Sequence, residues 1–507
     1  MDLPEIYSIP GTRDALPPQR AVERALEARL QSVFSRYGYE PIDTPILEPT
    51  ELFLRKSGEA IASQMYSFTY WNRDLCLRPE FTASVIRAYV NHMQDRALPL
   101  RVQYAGPTFR YERPHETRHR QLTEIGAECI GAAGPGADAE ILAMALSGLE
   151  AAGVRNAHFV VGHLGAVLGL LAQLGMDVRA QSLVVSEMEG LAQSPNDSAE
   201  VVERLATMLA GGTESDQLSQ GALAELLQSQ GAEAAAEITT TLFERANLSL
   251  DGGSRSPEEI VARLLKKTSR PDPVPGLRRA SHFIRELRHL AGPPDQAVPA
   301  LRRFLGEQGL DDAPVRDVER ALECFGSYFD EAPPLVVDLS RARGLRYYTG
   351  LIFEVYAEDG ARLAGGGRYD DLVRSLGGHE TVPACGFSYV LEGLLAAATP
   401  KAKEQSARSS VDLVVAPIAD SDYGAAAHSA ALLRRAGLSV EMDVGFGGVN
   451  VNLRSATQRS IPLVLIVDEL KVGAGSATLH DVRASSEATI PSAELVNAVL
   501  ERLKAYA

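Results

Sequence analysis

The sequence predicts an α+β protein of several domains, and three observations predict it. First, 507 residues amount to about three domains at roughly 150 residues each. Second, strand-like and helical patterns alternate over residues 9–150 and return as strands over 333–397, with an Ala-, Glu-, Gln- and Leu-rich helical stretch between. Third, residues 411–507 alternate strand and helix in βαβ fashion. The expected organisation is a first core segment over 1–174, a helical insertion over 175–332, a second core segment over 333–399, a Lys-, Ser- and Ala-rich linker over 400–410, and a C-terminal α/β domain over 411–507.

Leu26, Leu30, Val33 and Phe34 recur at helical spacing over 20–37, and Gly38 stops that helix. Pro41 and Pro45 confine the extended stretch 40–47 to a sheet edge or an interface. Strands are expected at 75–77 and 101–104, with an antiparallel pair at 109–113 and 121–130 around a polar loop and helices at 83–93 and 137–152. The insertion carries expected helices at 222–247, 257–267 and 273–291, with turn-rich breaks at 194–198 and 251–256. Strands at 335–339 and 351–356 precede a glycine run. The last domain reads strand 413–416, helix 423–436, strand 439–443, helix 450–460, strand 463–467 and helix 493–506, which implies a small mixed or parallel sheet.

Composition excludes several classes. A hydrophobic fraction of 45% with 23% charged residues excludes a wholly disordered chain. The four cysteines are scattered and form no C-x-x-C pair, so neither a disulfide framework nor a cysteine-rich zinc knuckle is expected, and no metal site. Residues 1–13 lack a basic and apolar leader and no run approaches 18 apolar residues, which predicts a cytoplasmic protein without membrane association. The net charge of −16 argues against a general polyanion binder and leaves room for a local basic cleft.

Four constellations carry candidate chemistry. In Leu77-Arg78-Pro79-Glu80-Phe81-Thr82, Glu80 and Thr82 suit an ammonium group; otherwise Thr82 caps a helix and Glu80 is merely exposed. Between Arg110 and Arg120 stand four arginines and two histidines, and on a strand Arg110 and Glu112 share a face. Such a guanidinium fork suits a phosphate, or the stretch is a solvated charged hairpin. Alternation puts Glu124, Gly126 and Glu128 together, with room for a small cationic or imidazole-bearing ligand, or as solvated acids on an edge. Finally, Arg341 to Gly350 brings Tyr347 and Tyr348 to a basic turn before the run Gly365-Gly366-Gly367-Arg368-Tyr369-Asp370, which suits a pocket for an aromatic ligand.

Taken together with Gly11-Thr12-Arg13-Asp14 and Thr44-Pro45, these motifs resemble, in order and spacing, the class II histidyl-tRNA synthetases. The resemblance covers 9–150, 333–397 and, more loosely, the C-terminal domain. It implies a class II antiparallel sheet core, an anticodon-binding-like C-terminal domain and a homodimer formed around residues 37–45. It assigns histidine to Glu80, Thr82, Glu124, Glu128, Arg343, Tyr347 and Tyr348, and ATP to Arg110, Glu112 and Arg118, with Arg343 and Arg110 as the catalytic pair of an active enzyme.

The sequence also departs from that family. The third class II motif, Gly-Phe-x-x-Gly-x-Glu-Arg, should supply an arginine for the ATP γ-phosphate and adenine. Here it reads Gly386-Phe387-Ser388-Tyr389-Val390-Leu391-Glu392-Gly393, with Gly393 in the arginine's place and Arg374 as a candidate replacement. Glu124 stands where glutamine is usual, Arg346 where aspartate is usual, and Val449-Asn450-Val451-Asn452-Leu453 where lysines are common. The losses fall on ATP and tRNA and spare the histidine pocket. The leading expectation is therefore the family's paralogue: a non-aminoacylating, histidine-binding regulatory subunit of ATP phosphoribosyltransferase, partnered by the catalytic subunit and needing no cofactor. The alternative is an active histidine–tRNA ligase using ATP, Mg2+ and tRNA-His, which the retained C-terminal domain favours. A third is a tRNA-sensing or scaffold protein that docks a partner through the insertion.

Overall fold

A computed structural model describes residues 5–55, 63–111, 119–193, 199–210, 273–331, 333–341, 347–399, 411–445, 448–468 and 476–505. The chain divides into two compact units, Met1–Arg13 with Arg29–Ala397, and Asp14–Ala28 with Ala398–Ala507.

Sixteen strands are described, in chain order: β1 (Glu40–Pro41), β2 (Leu47–Pro49), β3 (Ser67–Tyr70), β4 (Arg73–Leu77), β5 (Leu100–Phe109), β6 (Gln121–Ile130), β7 (His158–His163), β8 (Leu335–Val337), β9 (Leu351–Tyr356), β10 (Arg362–Arg368), β11 (Ala384–Val390), β12 (Leu413–Pro417), β13 (Val440–Met442), β14 (Leu463–Val467), β15 (Ser476–Asp481) and β16 (Ser486–Pro491). The first unit is built on an eight-stranded sheet in the order β1-β5-β6-β11-β10-β9-β7-β8. Its six central strands run antiparallel, and only the outer pairs β1–β5 and β7–β8 are parallel. A small sheet, β2-β4-β3, completes the strands of this unit.

One face of the large sheet is apolar. Phe387 and Tyr389 point there, and Phe34 packs on them at centroid distances of 5.7 and 6.2 Å. The helix Pro135–Ala152 covers the same face, and the Tyr389 hydroxyl donates to the Ala145 carbonyl. Gly148 permits that approach, because a Cβ there would lie 2.2 Å from the Tyr389 hydroxyl. Arg368 fixes the end of β10 from within, donating to Asp138 at 2.9 Å and to the carbonyls of Ala132 and Gly134. A buried pair satisfied on every side in this way specifies position more than it stabilises.

Within the expected insertion, the described residues form the helices Val178–Ser186, Met188–Gln193, Ala199–Ala210, Val274–His289, Pro294–Glu307 and Ala313–Gly326. The expected helices at 222–247 and 257–267 lie outside the described residues. The second unit holds the sheet β13-β12-β14-β15-β16, with β13, β12 and β14 parallel and the last two antiparallel. This is the mixed option of the two expected. β12 and the buried part of β14 are apolar throughout, as strands covered on both faces must be.

One expected strand pairing needs correction. The partner of β6 is β5, paired from Leu100 opposite Ile130 to Phe109 opposite Gln121, and not a strand at 109–113. The dipeptide Gly106-Pro107 reads as a break, yet Pro107 sits near the end of the strand, where its missing N–H does little harm. Glu112 lies outside the described residues, so the strand face expected to join it to Arg110 is not seen. Six strands were not anticipated: β3, β10 (which contains the glycine run), β11, β7, which is bounded by histidines, and β15 and β16, which are rich in Ser, Thr and charged residues.

Candidate active site

Register sets the second face of the large sheet. On β11, Val390 stands opposite Glu124 and Gly386 opposite Glu128, while Ser388 stands opposite Gly365 of β10. Gly365 in turn faces Glu354 of β9. Period-two alternation puts all of these on the face turned away from Phe387 and Tyr389. That face floors a cavity of about 360 Å3, a size suited to a small-molecule site. The floor needs glycine: a Cβ on Gly126 would stand 2.5 Å from the Phe387 carbonyl, and one on Gly386 would collide with the Glu128 carboxylate.

Glu80 reaches the cavity because Pro79 leads directly into the helix Thr82–His92. Its Oε1 accepts the Ala83 N–H at 3.0 Å, while Oε2 is buried without a hydrogen-bond partner among the described residues. Burial pushes this carboxyl up to about 7, opposed by the Ala83 N–H. Thr82 does not cap the helix; its hydroxyl donates to Glu128 Oε1 at 2.7 Å, which leaves its lone pairs to accept from a ligand. Glu80 is buried rather than exposed, and it is Glu80, not Thr82, that accepts an N–H at the start of the helix.

Glu128 lies one layer beneath the cavity wall. Its carboxylate accepts from Thr82, from Tyr104 at 3.0 Å and from Tyr369. Burial pushes it up to about 8 against the pull of those three donors. Glu124 is at the wall itself, with Arg110 Nη2 2.6 Å from its Oε1. Burial raises Glu124, and the Arg110 charge opposes the rise. Arg110 is held further by Nε donating to the Pro79 carbonyl at 2.9 Å. A guanidinium has five N–H donors, so these two bonds leave donor capacity for a phosphate.

Aromatic rings enclose the acid cluster. Tyr347 and Tyr348 lie 4.9 Å apart, Tyr369 is 5.7 Å from Tyr347, and Phe81 stacks on Tyr104 at 4.3 Å. Burial pushes the Tyr347 and Tyr348 hydroxyls up, so both stay protonated as donors. Among the described residues the cavity wall also holds Arg341 and Arg362. Arg341 contacts the Tyr356 hydroxyl at 3.3 Å and Asp338 at 3.5 Å.

The structure thus brings together Glu80, Thr82, Glu124, Arg110, Tyr347 and Tyr348 around one cavity, with Glu128 directly behind. Glu112, Arg118, Arg343 and Arg346 lie outside the described residues. Gly393 falls in the helix Leu391–Ala397 beside the Arg362 carbonyl, at 3.2 Å from where its Cβ would be. Arg374, the replacement considered from sequence, is exposed on the short helix Leu372–Ser375 and is not part of the wall. Glu392 remains a brace: it accepts the Thr123 N–H at 3.1 Å and pairs with Arg13 at 3.6 Å. Sequence reasoning missed Tyr104, Glu354 and Arg362. Arg362 is set off from the glycine run by only two residues, which was the one available signal.

This arrangement offers a buried, charge-bearing recess for a cationic group, aromatic walls, and guanidinium groups for an anion. The Histidyl-tRNA synthetase family model matches residues 11–251 and 204–394. The chain belongs to the histidyl-tRNA synthetase family. The model of the Anticodon binding domain matches residues 412–502, which lie in the second unit. The Histidine–tRNA ligase of Methanocaldococcus jannaschii is 30% identical over 505 residues, covering 96% of this chain and 98% of the relative. Two solved structures share the fold: histidyl-tRNA synthetase from Nostoc sp. PCC 7120 (TM-score 0.65, 16% identity, 98% of this chain and 100% of that one), and an ATP phosphoribosyltransferase regulatory subunit/histidyl-tRNA synthetase from Bacillus halodurans C (TM-score 0.60, 20% identity, 89% and 97%). The expected class II core and anticodon-binding-like domain are therefore both present. No helix among the described residues is long and apolar enough to cross a membrane.

Proposed function

We propose that this protein is an active histidine–tRNA ligase that activates L-histidine with ATP, releasing pyrophosphate, and passes the histidyl group to tRNA-His, working in the cytoplasm as a homodimer. The observation that carries this reading is the second unit: a five-stranded mixed sheet matched along 412–502 by the anticodon-binding family, in a chain that aligns end to end with a named ligase. A subunit that only senses histidine has no use for such a unit. In this reading the buried Glu80 Oε2 receives the histidine ammonium together with the Thr82 oxygen. Arg110 meets the α-phosphate as the histidine carboxylate attacks it, the bond to the β-phosphate oxygen breaks, and pyrophosphate leaves. In this reading Mg2+ would enter on the phosphates of ATP, where it would offset their charge.

One observation favours the reading that leads on sequence grounds. Gly393 offers no charge where the third motif has arginine, as suits a histidine-binding regulatory subunit of ATP phosphoribosyltransferase. Charging of tRNA-His transcript with labelled histidine separates the two. The ligase reading expects histidyl-tRNA to accumulate with ATP consumption; histidine binding with no charged tRNA, and altered activity of an added phosphoribosyltransferase, supports the regulatory subunit.

A further inference from the structure

The missing third-motif arginine raises the question of what else in the cavity can hold a nucleotide's phosphates. A side chain at Gly393 would start against the main chain of β10: its Cβ would meet the Arg362 carbonyl at 3.2 Å and Leu363 Cδ2 at 3.5 Å. Arg362 is therefore a backbone neighbour of position 393. A register shift between Arg362 and Ala364 turns its side chain back over the strand. The guanidinium lies on the cavity face above Gly365, where a Cβ would come within 2.2 Å of Nη2. Gly365 is thus the residue that lets the arginine lie flat on the floor. Glu354, the cross-strand neighbour, holds it at 3.4 Å, and the side chain is 42% exposed and open to a ligand. Its charge is felt across the cavity by Glu124 and Tyr348.

We propose that Arg362 is the nucleotide-binding cation of this site, moved from the helix Leu391–Ala397 to the start of β10, and that it binds the phosphate chain of a nucleoside triphosphate. The proposal rests on the ligase reading only in its choice of ATP as the nucleotide. Arginine suits the task because its planar fork meets phosphate oxygens two at a time. Histidine is recognised elsewhere in the same cavity, by Glu80 and Thr82, so the two substrates have separable determinants.

The test compares wild type, Arg362→Ala, Arg374→Ala and the double variant Arg362→Ala/Gly393→Arg, all in the full chain. Mg·ATP and L-histidine binding are measured by calorimetry, and the KM for ATP by histidine-dependent pyrophosphate exchange. Losing one charge-assisted contact should weaken ATP binding and raise that KM by about 10- to 100-fold, with histidine affinity little changed. Arg374→Ala should match wild type. Returning a guanidinium at position 393 should recover much of the lost ATP affinity, which a merely structural role for Arg362 would not allow. Equal KM values for wild type and Arg362→Ala overturn the proposal, as does an equal loss of histidine and ATP affinity. If wild type gives no exchange yet binds Mg·ATP in an Arg362-dependent way, the ligase reading falls and the proposal stands. If wild type binds no Mg·ATP at all, both fall.

Discussion

Glu80 concentrates the chemistry of the pocket at the scale of one residue. Its carboxyl is buried, satisfied at one oxygen and open at the other, and burial raises it to about 7. An acid whose proton is held that high is neutral below pH 7 and charged above it. An ammonium ligand is attracted only by the charged form, so histidine affinity should rise as pH climbs from 6 to 8. The imidazole of free histidine also titrates near 6.5, and Glu80→Gln isolates the carboxyl, because it keeps the oxygen that accepts from Ala83. Calorimetry should show binding weakened by about 10- to 100-fold at pH 8, the worth of one hydrogen bond to a charged group. The gap between variant and wild type should narrow toward pH 6. A constant gap would mean that Glu80 does not carry its charge to the ligand.

The elements explain why that residue is presented at all, and also what could be read without coordinates. Glu124, Gly126 and Glu128 were legible as one face because strand alternation is rigid, and β6 obeys it. The motif of Glu80 and Thr82 was legible as a strand–helix junction. What the sequence hid was the second layer: that Glu128 spends its carboxylate on Thr82, Tyr104 and Tyr369, residues 46, 24 and 241 positions away. Spacing along a chain carries no information about such contacts. Arg362 was hidden for a similar reason, since a register shift and not regular alternation turns it onto the cavity face. The glycines of the floor give the sharpest test at this scale. Gly126→Ala places a methyl 2.5 Å from the Phe387 carbonyl and the Tyr104 hydroxyl. Backbone of a central strand cannot yield cheaply, so thermal unfolding should reveal a loss of about 1–3 kcal/mol, the usual cost of overpacking, together with weakened histidine binding. Full stability in that variant would show that β6 and β11 sit farther apart than described.

Across the whole molecule, the two units tell complementary stories. The first gathers Glu80, Thr82, Tyr347 and Tyr348 around one cavity, carries Gly393 where the family's third motif has arginine, and sets the Glu124 carboxylate against the Arg110 guanidinium. The second keeps a complete sheet and helices while its helix Val449–Gln458 opens with Val449-Asn450-Val451-Asn452, a turn without a cation. The βαβ periodicity of the C-terminal region was readable, and the mixed sheet of the second unit was anticipated as one of two options, without its last two strands. The balance between sensor and ligase was not readable, because a lost arginine is visible in a sequence, whereas the place of Arg362 on the cavity wall is not. The central claim is that this cavity still brings histidine and ATP into reaction. Histidine-dependent ATP–pyrophosphate exchange on the intact protein tests it most directly, with histidine binding measured on the same sample. The account predicts exchange that depends on histidine and on no other amino acid; histidine binding with exchange no greater than background would contradict it.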